Sequence, residues 1–134
     1  MSAVLVDSSV VLDILTDDAV FASRAVAAMA DLGSLHDLVI DDIVYAEVSV
    51  GFARIEELDE AIAGCGFMHM PIPREALFLA GKAFLAYRRR GGARSAPLPD
   101  FIIGAHAAVA GIPLLTRDPD RIASAYPKVK LIAP

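Results

Sequence analysis

Asp7, Glu47, Asp100 and Asp118 are the residues best placed to do chemistry, because each stands at a border of apolar sequence. Asp7 ends the run Ala3-Val4-Leu5-Val6, and Glu47 lies within Ile43-Val44-Tyr45-Ala46-Glu47-Val48. Asp100 leads into Phe101-Ile102-Ile103-Gly104, and Asp118 follows Leu114-Leu115-Thr116-Arg117. Each has an ordinary explanation when taken alone. Asp7 reads as a helix N-cap, Glu47 as an ion-pair partner of Arg54 or another base, Asp100 as an acid favoured by a helix dipole, and Asp118 as a cap before Pro119. Brought together, they have a different meaning. Two carboxylates ~4 Å apart repel by about 4 kcal/mol at an effective dielectric near 20. Several such pairs rival the ~5–15 kcal/mol that holds a whole domain, so a cluster of this kind calls for cations. All-oxygen ligands without Cys or clustered His select Mg2+ or Mn2+ rather than zinc.

Smaller groups surround these acids. Ser8 and Thr116 neighbour acids at strand ends and are suited to orienting water or phosphate, while Asp120 is expected to face solvent and stands as a substitute for Asp118. Arg88, Arg89, Arg90 and Arg94 form a basic segment shortly before Asp100, suited to phosphate contacts. Their plainer reading is a solvated helix end whose cations favour the C-terminal dipole. The histidines do not compete as ligands or bases: His36 reads as a loop residue, His69 as a strand or core residue, and His106 as part of an apolar helix face.

The elements that must position these residues follow from periodicity and breakers. A strand over 3–6 runs into Asp7, and a short helix covers 10–15. Asp17 and Asp18 signal a second helix to about residue 31, with Gly33 as its stop. A strand over 38–40 is closed by Asp41 and Asp42, and helices follow over 43–54 and 56–63. Residues 67–70 read as a third strand stopped by Pro71. Pro73 opens a long helix to Arg90, ended by Gly91 and Gly92. A helix over 100–110, a strand over 114–116, a helical turn over 120–125 and a strand over 129–132 complete the chain. The alternation predicts a three-layer α/β fold, a mainly parallel sheet of four to five short strands flanked by helices, forming one domain over 1–134. Ligands of such sheets bind outside the carboxyl ends of the strands. Asp7 and Asp118 leave two such ends, and Asp100 opens the helix feeding the second. Glu47 reaches in from a crossing helix, on a stripe with Ile43 and Val50.

Composition sets the outer bounds. Hydrophobic residues make up 56% of the chain but aromatic ones only 7%, so the core is aliphatic, as a parallel sheet covered on both faces requires. No apolar run approaches the ~18 residues of a membrane span. The first residues lack the basic region of a targeting peptide, so a cytoplasmic location is expected. Cys65 is alone, which excludes an intrachain disulfide and a cysteine zinc cluster. A net charge of −5 argues against coating nucleic acid by bulk electrostatics, yet it suits an acidic metal site whose cations cancel it. A receiver domain would need a phosphoacceptor Asp ending the third strand, and an aspartyl phosphatase a second Asp where Ser9 stands.

Four motifs in series resemble the PIN-domain ribonucleases, and among them the VapC toxins of bacterial toxin–antitoxin pairs. They are Val6-Asp7-Ser8-Ser9, Tyr45-Ala46-Glu47-Val48-Ser49, Leu98-Pro99-Asp100-Phe101-Ile102-Ile103-Gly104-Ala105-His106-Ala107 and Leu114-Leu115-Thr116-Arg117-Asp118. Ahead of the third acid stands Ala96-Pro97, where the family often has a bulky aliphatic residue. The resemblance implies a PIN-like fold and a Mg2+- or Mn2+-dependent endoribonuclease, in which water activated by the metal attacks an RNA phosphodiester. It implies that Asp7, Glu47, Asp100 and Asp118 hold the metal, that a VapB-type antitoxin restrains the enzyme, and that the chain forms a homodimer. A housekeeping RNA-processing nuclease, or a PIN module retained for protein binding alone, is the alternative.

Overall fold

The computed structural model of the protein describes residues 2–91 and 98–134. Its centre is a sheet built from the most apolar short runs of the chain. Strand β1 (Ala3–Val6) is followed by helices α1 (Ser8–Leu15) and α2 (Ala22–Gly33), then strand β2 (Asp37–Ile40). Helices α3 (Asp42–Ser49) and α4 (Ile55–Gly64) lead to β3 (Met68–His69), and α5 (Arg74–Arg89) and α6 (Leu98–Ala110) lead to β4 (Leu114–Leu115). Helix α7 (Asp120–Ala123) and strand β5 (Leu131–Ile132) end the chain. All pairings are parallel and the strand order is β3-β2-β1-β4-β5. Parallel strands need covered crossovers, so the sheet is packed on both faces. Val4, Leu5, Val6, Ile40, Leu114 and Leu115 are accordingly inaccessible to solvent.

This strand order has one consequence for function. From β1 the chain first builds outward through β2 and β3, then returns to place β4 and β5 on the other side. The reversal leaves a crevice outside the carboxyl ends of β1 and β4, the place where open α/β sheets bind ligands. Asp7 and the 116–118 segment leave the sheet there, and the backbone N–H of Asp7 donates to Leu115 O at 2.9 Å across it.

Several boundaries differ from the sequence expectation, each for a local reason. The helix expected over 43–54 ends at Ser49, where the Ser49 hydroxyl donates to Ala46 O and a turn through Gly51 and Phe52 follows. Val50 is therefore outside the helix and 87% exposed, so it does not share a stripe with Glu47; the buried face of α3 is Val44 and Val48. Asp18 does not cap α2 directly. Its Oδ1 accepts from Val20 and Phe21 N–H, which delays the helix to Ala22. His69 is an exposed residue of the edge strand β3, not a core residue, and pairs with Asp42.

Helix α6 carries the longest apolar motif, and its glycine is there for space. A Cβ on Gly104 would lie 2.5 Å from Cδ2 and 2.6 Å from Cε2 of Tyr126. That ring is pinned, because its hydroxyl donates to Phe101 O at 2.8 Å and the side chain is buried. Gly104 thus lets the segment after α7 pack flat on α6, which brings α7 toward the start of that helix.

Candidate active site

Asp7 is held at the tip of β1 by its own surroundings. It is the N-cap of α1 with extended backbone (φ −70°, ψ 153°), and its Oδ1 accepts from Ser8 N–H at 2.8 Å. Its Oδ2 accepts from the Thr116 hydroxyl at 2.7 Å and from the Ser9 hydroxyl at 3.2 Å. The capping reading and the site reading of Asp7 therefore coexist. Thr116 is buried at the end of β4 and also accepts from Asp118 N–H at 3.2 Å, so one hydroxyl ties the two strand ends together.

The four acids fall into two pairs. The Ser8 hydroxyl donates to Glu47 Oε1 at 3.0 Å and lies 3.5 Å from Asp7 Oδ1, bridging the first pair. Glu47 makes this contact instead of an ion pair with Arg54, which meets Glu56 at the surface. In the second pair, Arg121 places Nη2 3.6 Å from Asp100 Oδ2 and Nη1 4.0 Å from Asp118 Oδ2. Asp120 is exposed and joins neither pair.

Charge links the pairs. Burial pushes the Asp100 carboxyl above its ordinary range; Arg121 pulls it back, and the charges of Asp7 and Asp118 push it further up. Burial pushes Glu47 up as well, the Ser8 hydrogen bond opposes this, and Asp7, Asp100 and Asp41 add to the rise. Acids whose folded pKa is raised bind protons more tightly in the folded protein, so their contribution to stability is fullest below the ordinary carboxylate range. It falls as pH rises through the raised values. In EDTA, the melting temperature of an E47Q/D100N double variant should therefore exceed that of the parent by a margin that widens as pH rises to neutrality. A margin independent of pH in thermal-shift measurements would count against this electrostatic account.

The donor set suits a hard cation. Among the described residues no three Asp, Glu, His or Cys side chains are grouped closely enough to hold an ion as they stand. Mg2+ does not require such a cage, since it keeps several waters and is bound through one or two carboxylates. Oxygen donors of excess negative charge, restrained by hydroxyls and one guanidinium that can turn away, fit an ion of that kind.

Sequence reasoning overlooked four groups here. Ser9 donates to Asp7 and accepts from Arg117 N–H at 3.3 Å; its place in Asp7-Ser8-Ser9 was the available signal. Arg121 was not singled out. Arg117 bonds Asp13 at 2.9 Å and lies 4.5 Å from the Phe21 ring centroid, securing the segment after β4 to α1. His106, expected on an apolar helix face and as neither ligand nor base, is buried and hydrogen-bonded through Nδ1 to the fully buried Asp41 at 3.0 Å. Asp41 also caps α3 by accepting from Val44 N–H at 2.9 Å. This pair joins α3, which carries Glu47, to α6, which carries Asp100.

The basic segment is divided. Arg88 and Arg89 occupy the last turn of α5, and Arg90 caps it. The guanidinium of Arg88 lies 5.8 Å from the Phe84 ring and that of Arg90 5.7 Å from Tyr87. Both rings pack on Phe101, next to Asp100 in sequence. This places the basic helix end beside the start of α6; Arg94 lies outside the described residues.

The sequence pattern of the PIN domain family matches residues 4–127. No curated protein matches the chain. Among solved structures the chain is similar to VapBC2 from Rickettsia felis bound to a promoter DNA fragment, at 14% identity and TM-score 0.76, covering 98% of both chains. It is likewise similar to VapBC-1 from nontypeable Haemophilus influenzae, at 16% identity and TM-score 0.73, covering 98% of this chain and 97% of that one. FitAcB from Neisseria gonorrhoeae matches at 19% identity and TM-score 0.67, covering 96% of both. The chain belongs to the PIN domain family. Among its described residues no helix is long and apolar enough to cross a membrane.

Proposed function

We propose that this chain, as one PIN domain over 1–134, is the endoribonuclease toxin of a type II toxin–antitoxin pair, dependent on Mg2+ or Mn2+. The observation that carries the reading is that two pairs of acids from four separate segments, Asp7 with Glu47 and Asp100 with Asp118, stand at the crevice between β1 and β4 near enough to feel each other's charge, with one guanidinium against the second pair. The solved VapBC and FitAcB structures of the same fold support the toxin reading and a VapB-type antitoxin as partner. Exposed apolar side chains of α5, Leu77, Phe78 and Leu85, offer surface for that partner or for a second copy in a homodimer. A cytoplasmic location follows from the same reading.

In the proposed site Asp7 and Asp100 hold the cation, and Glu47 and Asp118 complete its surroundings. When bound, the ion supplies acidity to water and charge to the scissile phosphate. Ser8 and Thr116 keep Glu47 and Asp7 oriented through the hydrogen bonds their hydroxyls donate. Arg88, Arg89 and Arg90, at the end of α5, supply contacts to the RNA backbone, and the sequence adds Arg94 to this basic group.

The test is direct. Purified protein should cleave labelled RNA with Mn2+ or Mg2+, leave 5′-phosphate and 3′-hydroxyl ends, and stop in EDTA. Growth arrest on expression, relieved by D7N, separates a toxin from an RNA-processing nuclease. Absence of cleavage with either ion would leave a PIN module that only binds protein.

A further inference from the structure

The acid crevice contains a cation belonging to the protein itself. We propose that Arg121 is a resident counter-ion that competes with the divalent metal for Asp100 and Asp118, and so sets the metal concentration at which the site fills. This rests on the metal-site reading above and adds a residue to it.

Among the described residues, Arg121 is the only cation ion-paired with any of the four acids. It is rooted in place: its backbone N–H donates to Asp118 O at 3.3 Å, and α7 begins at Asp120, after the single residue Pro119. The guanidinium therefore cannot leave the neighbourhood, but it can swing within it. Contacts of 3.6 and 4.0 Å are well beyond the ~2.7–2.9 Å of a tight charge-assisted hydrogen bond. The side chain is also 55% exposed.

The other arginine of this segment shows the contrast. Arg117 reaches Asp13 at 2.9 Å and lies over the Phe21 ring, held on two sides. Two arginines four residues apart thus do different work: Arg117 is a strut, and Arg121 is a loosely held charge facing carboxylates that pair with no other cation among the described residues. A divalent ion brings twice the charge to the same oxygens and must displace it. Because both contacts are partly solvated, the competition is modest, which suits an exchangeable ion.

Calorimetric titration of the full chain with Mn2+ tests this. R121Q should bind Mn2+ about three- to tenfold more tightly than the parent, whereas R121K, which keeps the charge, should stay within about twofold. In EDTA, R121Q should melt below the parent, and saturating Mn2+ should erase the difference. A purely structural role would lower melting with and without the ion. D100N serves as the reference for the metal site. If D100N loses Mn2+ binding while R121Q binds no more tightly than the parent, the competition is refuted and the metal site stands. If D100N binds Mn2+ like the parent, the metal-site reading fails, and the role of Arg121 falls with it.

Discussion

Asp7→Asn is expected to leave a folded protein whose RNA cleavage is slower by about 100- to 1,000-fold, the usual cost of removing one preorganised electrostatic group from an active site. The fold survives because Asn is as good an N-cap as Asp. Its carbonyl can still accept from Ser8 N–H, and its amide can donate to the Thr116 hydroxyl, which has a lone pair free to receive it. What the variant lacks is the negative charge. Asp100→Asn should be equally inactive, with a further signature: it should melt higher than the parent in EDTA, since its carboxyl is partly buried and feels the charges of Asp7 and Asp118. Cleavage of end-labelled RNA in Mn2+, with circular dichroism as the folding control, checks both. Parental rates in either folded variant would remove that acid from the site.

His106→Ala should destabilise the protein by about 3–5 kcal/mol, the range found when one member of a buried pair is deleted. Asp41 and His106 are 0% and 1% exposed, so water cannot replace the missing donor at Asp41 Oδ2. The double variant D41S/H106A separates causes. Serine also caps helices well, so it can retain the bond from Val44 N–H while leaving no buried carboxylate. It should be more stable than H106A alone. Urea denaturation measures both, and a double variant no more stable than H106A would mean that lost packing dominates, not an orphaned acid. Because the pair connects α3 to α6, H106A should also weaken Mn2+ binding even where it remains folded.

The strands could be read from the sequence because buried parallel strands are apolar throughout, as in 3–6 and 38–40. The helix ends were less legible. Nothing in the periodicity of 43–54 announces that the Ser49 hydroxyl and the turn through Gly51 end α3 early, so Val50 was wrongly placed beside Glu47. The four acids stood out because each interrupts apolar sequence, and the parallel topology brings Asp7 and Asp118 to one crevice. Their supports were silent for another reason. Arg121 touches Asp100 only through the packing of α7 on α6, which depends on the room left at Gly104. His106 lies in the apolar run 101–110, where only the position of Asp41, sixty-five residues earlier, gives it a polar role.

The bond from Thr116 to Asp7 spans 109 residues. During synthesis, β1 emerges first but waits for β4, which supplies one of its two neighbours along the sheet and leads directly to Asp118. A nascent or truncated chain that stops before residue 115 has neither Thr116 nor Asp118, nor the arginine facing them. Whatever reactivity resides in this crevice is therefore withheld until residues 116–121 have been made, and a chain stopped before them is an inert fragment.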